Sequence, residues 1–114
     1  MKQRVLVMNG QRLLQTEQGG QWATSKVDKA GAIKPGIYDL YLAQLADKAK
    51  TYAGVIVHAD GANVYQQVGK TLIKHAADDF AKLPGTGIDT SVSYQDGLAR
   101  SSGASVKQGR KLSR

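Results

Sequence analysis

Along most of this chain apolar and polar residues alternate with the short period of strands, in brief runs closed by Gly, Asn-Gly or Asp-Gly. Residues 4–8 (RVLVM) form the first run. Asn9-Gly10 after it is the strongest local hairpin signal, because a type I′ turn needs positive φ at both central residues. The partner strand is 11–18, with Leu13 and Leu14 set among Gln, Thr and Glu, which suits a strand with one wetted face. Gly19-Gly20 turns the chain again, and 21–27 (QWATSKV) reads as a third strand. A loop at 28–36 ends in Pro35-Gly36, a pair that favours a type II turn. In 37–43 (IYDLYLA), Tyr38, Leu40 and Leu42 share the uniformly apolar face and should point inward. Residues 44–50 have helix-forming composition over about two turns, too short for a stable helix without packing, and read as a helical turn or loop.

The central stretch repeats the pattern more tightly. Residues 52–59 (YAGVIVHA) end in Asp60-Gly61, 63–68 (NVYQQV) end in Gly69-Lys70, and 71–75 (TLIKH) follow. Three strands joined by two-residue turns make a meander. Residues 76–83 (AADDFAKL) place Asp78 and Asp79 early and Lys82 late, the polarity a helix dipole favours, and Pro84-Gly85 ends that segment. Residues 89–94 form the closing strand. The expected fold is mainly β: a small, strongly bent sheet or barrel, SH3-like or OB-like, with one short helix before the last strand. Closure would hide the strand edges. Residues 1–96 read as one domain, and 97–114 as a flexible, disordered basic tail rich in Gly and Ser.

Charge sharpens that division. Sixteen Lys and Arg against nine Asp and Glu leave a net charge of +7. Arg100, Lys107, Arg110, Lys111 and Arg114 all lie beyond residue 96, where there is no acid. A basic tail is drawn to nucleic acid or anionic surfaces, and solubility explains such tails equally well. No cysteine is present, which excludes a disulfide framework and thiolate metal sites. The first apolar run, 5–8, is far too short for a membrane span or signal core. A cytoplasmic protein without membrane association is expected.

Candidate chemistry is sparse. His58 and His75 are the only histidines, and neither lies in an HxH or HExxH spacing, so no metal site and no cofactor are expected. No nucleophile elbow or orienting acid accompanies them, so no catalytic residue is expected. The glycines fit no phosphate-binding loop and read as turn makers. His75 stands where strand gives way to helix, suited to hydrogen-bonding backbone groups and fixing that turn. Trp22 reads as a cap on the hydrophobic face of the meander, with base stacking as the alternative. Alternation sends Asn63, Tyr65 and Gln67 to one face of their strand and Val64, Gln66 and Val68 to the other. The first face is polar and aromatic. With Lys70 and Lys74 nearby it could meet a base edge or a partner peptide, and it also fits an ordinary wet strand face.

Tyr52-x-Gly54, Val55-Ile56-Val57, Val64-Tyr65-Gln66-Gln67-Val68-Gly69, Lys74-His75, Leu83-Pro84-x-x-Gly87 and Ser91-Val92-Ser93-Tyr94 occur here in that order. In this the stretch 52–94 resembles the KfrB domain, found in short proteins of broad-host-range conjugative plasmids and appended to some relaxases and other transfer proteins. The resemblance implies a setting, plasmid maintenance or conjugative transfer, and no catalytic residues. It makes the chain an expected noncatalytic adaptor whose partner is another plasmid-encoded maintenance or transfer protein. The alternative is a small-barrel DNA-binding protein using Asn63, Tyr65, Gln67, Lys70, Lys74 and the tail.

Overall fold

Two-residue turns with positive φ match the right-handed twist of the strands they join, and they set the register here. In the computed structural model, which describes residues 2–103, Asn9 and Gly10 have φ of 53° and 74°. They fold β1 (Gln3–Met8) onto β2 (Gln11–Gln18), so that Met8 faces Gln11 and Leu6 faces Leu13. Gly19-Gly20 leads into β3 (Gln21–Lys29), and β4 (Gly36–Asp39) returns to the free side of β1. The first sheet therefore has the order β3-β2-β1-β4.

The chain then leaves for a second sheet. A 3-10 turn over Leu40–Leu42 carries it to β5 (Gln44–Leu45), and β6 (Tyr52–Ala59), β7 (Asn63–Val68), β8 (Thr71–Ala76), β9 (Asp89–Gln95) and β10 (Leu98–Gly103) complete the sheet. Its order is β10-β9-β6-β7-β8-β5, antiparallel except for β5 against β8. Both sheets stay open, so the expected SH3-like or OB-like barrel is not formed. Hydrophobic layering replaces closure. One cluster (Val5, Val7, Ala30, Ile33, Leu40, Val57, Tyr65) lies between the sheets. A second (Ile56, Val64, Ala77, Phe80, Val92, Ala99) covers the other face of the second sheet. The N-terminal meander and the central stretch thus share a core.

Four local expectations change, each for a physical reason. The strand expected over 37–43 stops at Asp39, because the chain must turn there to cross between sheets; Leu40 is buried, but Leu42 points out and is 67% exposed. The helix expected over 76–83 shrinks to a 3-10 turn, Ala77–Asp79. Phe80 takes extended backbone instead, which lets it bridge to Ala99 while its ring enters the second cluster. Asp60-Gly61 is not a two-residue hairpin turn, since Ala59 pairs with Val64 and the loop between them is held by Asp60 Oδ1, which accepts the N–H of Ala62 and of Asn63, each at 2.8 Å. Lastly, 89–94 is not the closing strand. Asp96 and Gly97, with φ of 54° and 79°, make another hairpin and add β10 from residues assigned to the tail.

A bulge in β6 sets which side chains face which sheet. Ile56 pairs with Gln66 but His58 with Tyr65, which leaves Val57 as the extra residue. Strict alternation would put His58 on the side of Ile56. With the bulge, Val57 and His58 both turn toward the first sheet while Ile56 faces the second cluster.

Beside the bulge the backbones of β6 and β7 come so close that a Cβ on Gly54 would collide with the Gln67 carbonyl. Gly54→Ala should therefore destabilise the fold by about 2 kcal/mol, read as a lower urea midpoint with an unchanged slope. Gly61→Ala, whose Cβ meets nothing within 4 Å, should stay within about 0.5 kcal/mol of the parent.

Candidate functional site

The most specific part of the central motif forms an interior polar lock. Gln66 is 0% exposed, and its Nε2 donates toward the carbonyls of Thr90 (2.9 Å), Tyr52 (3.2 Å) and Gly54 (3.3 Å). That orientation leaves Oε1 to accept, and it takes the Nε2–H of His75 at 2.9 Å. His75 Nδ1 must then accept, from the Tyr94 hydroxyl at 2.6 Å. Rings of Tyr52, Phe80 and Tyr94 surround the imidazole. Burial pushes His75 down to about 4, against a smaller opposing pull from the Asp79 carboxylate. Burial, with Asp79 and Tyr52 adding to it, raises Tyr94 to about 12. Both groups are neutral at pH 7. His75 thus acts through side chains deep in the sheet, not through backbone groups at a strand–helix junction.

A second polar chain joins the two sheets. Arg12, buried on the inner face of β2, approaches His58 Nδ1 with Nη1 at 3.3 Å and donates from Nη2 to Asp28 Oδ2 at 3.1 Å. A guanidinium can only donate, so Nδ1 accepts and Nε2–H faces Asp60 Oδ2 at 3.5 Å. Burial first, then the Arg12 charge, lower the His58 pKa, opposed by Asp60. Arg12 Nε has no hydrogen-bond partner among the described residues.

The sequence-derived contact residues do not converge. Tyr65 is 8% exposed, packed between the sheets beside His58, so it offers no stacking surface. The alternation in β7 is as expected, but Tyr65 on one face and Val64 and Gln66 on the other are all buried, so neither face is wet in the middle of this strand. Gln67 and Lys70 do come together, lining a cleft of about 310 Å³ with Ile37, Leu42 and Leu72. Asn63 sits at the opposite end of β7, in the Asp60 loop. Lys74 lies on β8 opposite Leu45. Arg100 lines a separate cavity of about 540 Å³ against Leu83, Pro84 and Ile88. Lys107, Arg110, Lys111 and Arg114 lie outside the described residues. Among the described residues no group of three or more His, Cys, Asp or Glu is placed to hold a metal ion, and no helix is long and apolar enough to cross a membrane.

What residue-by-residue reading missed is the outer face of the first sheet. Val27, Leu13, Leu6 and Ile37 stand opposite one another on β3, β2, β1 and β4. They form one aliphatic row across all four strands, on the face turned away from Val5 and Val7. Val27 is 51% and Ile37 56% exposed. The next row is polar: Arg4 Nε donates to Gln15 Oε1 at 2.8 Å, and Gln15 Nε2 to Thr24 Oγ1 at 3.2 Å. Beyond it Trp22 stacks with Tyr41, so Trp22 is not a cap on the core. Half of the aliphatic row was legible in sequence. A two-residue Asn9-Gly10 turn already puts Leu6 opposite Leu13, whereas Val27 joins them only because a bulge shifts β3 between Leu14 and Gln15.

The chain is thus a two-sheet β-protein with a locked polar interior and an open apolar face. The family model described as KfrB Domain matches residues 51–102, the stretch holding β6 to β10 and the whole Gln66–His75–Tyr94 lock. Protein TraB of Escherichia coli is 32% identical over 100 residues, which cover 85% of this chain and 68% of that protein. The chain belongs to the KfrB-domain family.

Because the His75 pKa is lower in the folded than in the unfolded chain, the stabilisation from its neutral form is complete above about pH 6.5 and is lost as pH falls toward 4. Over that window this group alone should remove about 3 kcal/mol, and His58 acts in the same direction. Urea midpoints of His75→Phe should be lower than the parent's at pH 7 yet fall less steeply on acidification. Parallel pH curves for the two proteins would show that His75 does not carry the effect.

Proposed function

We propose that this chain is a noncatalytic, cytoplasmic adaptor that acts in plasmid maintenance or conjugative transfer by docking another plasmid-encoded protein. The observation that carries the reading is the aliphatic row Val27–Leu13–Leu6–Ile37. An antiparallel sheet normally wets its outer face with polar side chains, and a row of four aliphatic side chains marks a surface to be covered. A protein with an apolar face of its own supplies the complement. Leu42, 67% exposed, stands beside Ile37 in the cleft lined by Gln67 and Lys70, which widens the apolar surface past the end of the row. Noncatalysis is supported by how the histidines are used. His75 has both ring nitrogens engaged with Gln66 and Tyr94, and His58 lies between Arg12 and Asp60. Family membership supports the plasmid setting, which is where KfrB-type domains occur.

Val27→Lys and Ile37→Lys place charge on the open row without touching the core. Their thermal midpoints should stay within a few degrees of the parent's, while retention or transfer of the host plasmid drops by tenfold or more. Pairwise association with each protein encoded on that plasmid should show one partner that the parent binds and both variants lose. Wild-type retention and transfer in the double variant would refute the docking role.

A further inference from the structure

The far end of the same outer face differs chemically from the aliphatic row. Trp22 and Tyr41 lie with centroids 6.3 Å apart and planes inclined by only 27°. Lys2 Nζ stands 5.2 Å from the Tyr41 centroid, and Arg4 Cζ 4.2 Å from that of Trp22. Tyr41 is 44% exposed and Trp22 half-buried. Arg12, Lys26 and Lys48 each pair with a carboxylate. Lys2 and Arg4 have none within ion-pair distance among the described residues. Arg4 is moreover aimed, since Gln15 holds its Nε and Thr24 holds Gln15.

We propose that Trp22, Tyr41, Lys2 and Arg4 form a binding site for single-stranded nucleic acid, with an unpaired base against the rings and the flanking phosphates on the two cations. The ligand must offer a planar ring and an anionic group a few ångströms apart, and a nucleotide does both. A base can lie on a side-chain ring only when its own face is free, so a single strand fits and a duplex does not. With no carboxylate in ion-pair range, Lys2 can turn from the Tyr41 ring to a phosphate, and Arg4, anchored through Nε by Gln15, has its terminal nitrogens left to donate to one. Two acids limit the footprint: Glu17 stands opposite Trp22, and Asp39 opposite Arg4. This site replaces the β7 face as the place where the chain would meet a nucleic acid, since Tyr65 is buried. It is separate from the docking row.

Trp22 is the only tryptophan, so its emission reports on the site itself and not on the basic residues beyond 103. Titration of the full-length chain with a short oligothymidylate should give saturable quenching of Trp22 that weakens as salt is raised. Tyr41→Ala should weaken binding at least about fivefold, whereas Tyr41→Phe should bind like the parent. Arg4→Gln should lower both the affinity and its salt dependence, and Glu17→Gln should tighten binding. Circular dichroism of each variant establishes that it is folded. An unchanged Trp22 emission at low salt, equal affinity in Tyr41→Ala and Arg4→Gln, or equal quenching by a duplex of the same length would each overturn the assignment. Val27→Lys lies outside the site, so loss of the docking partner and loss of oligonucleotide binding are read separately.

Discussion

The desolvated side-chain amide of Gln66 is the constraint on which the second sheet depends. A buried amide left without partners costs a few kcal/mol, and here every polar atom is met from a different strand: carbonyls of β6 and β9 on one side, His75 of β8 on the other. The requirement runs outward. His75 satisfies Gln66 by donating from Nε2, and because burial keeps the ring neutral, Nδ1 is left to accept and recruits the Tyr94 hydroxyl. Four strands are thereby tied to one register by chemistry as well as packing, and a slip by one residue in any of them would orphan the network.

The two sheets meet through a different device. Their shared cluster is aliphatic except for Tyr65, and beside it Arg12 reaches from the first sheet to His58 in the second. The β6 bulge makes that contact possible by turning His58 to the side of Arg12. A buried guanidinium that lacks a carboxylate from the facing sheet adds little net stability. What it supplies is orientation: Asp28, opposite Arg12 within the first sheet, holds one end of the guanidinium, and the donor left over reaches His58 only when β2 lies over the β6 bulge.

With the polar chemistry spent indoors, the surfaces left for recognition are those the packing does not use. The middle strands of the second sheet are covered on both faces, with Tyr65 and Val57 in one cluster and Ile56 and Val64 in the other, so β7, despite carrying the family's motif, presents little beyond its ends. The first sheet is covered on one face only. Its outer side is divided into rows: aliphatic, then hydrogen-bonded polar, then aromatic with cations. The division follows from antiparallel register, which places chemically similar residues from distant points of the chain opposite one another. The family match covers the locked sheet, 51–102, whereas the aliphatic and aromatic rows lie on strands that precede it.

Sequence alone determined the strand content, most turn positions and the family, because the turn-forming dipeptides act through local backbone conformation and the alternation through a period of two. Asn9-Gly10 fixed a hairpin and half of the aliphatic row with no tertiary information. Asp96-Gly97 carried the same signal for β10, but its basic, serine-rich surroundings have the composition of disorder. Tertiary structure decided the rest. Whether a strand face is wet depends on what other elements lie over it, so Tyr65 could alternate as expected and still be buried. The β6 and β3 bulges, which set His58 toward Arg12 and Val27 beside Leu13, are settled by packing of whole sheets. Two open sheets formed instead of one barrel because the chain crosses between them at Leu40–Leu42 and buries its apolar faces in layers, a choice between global arrangements that no local pattern distinguishes.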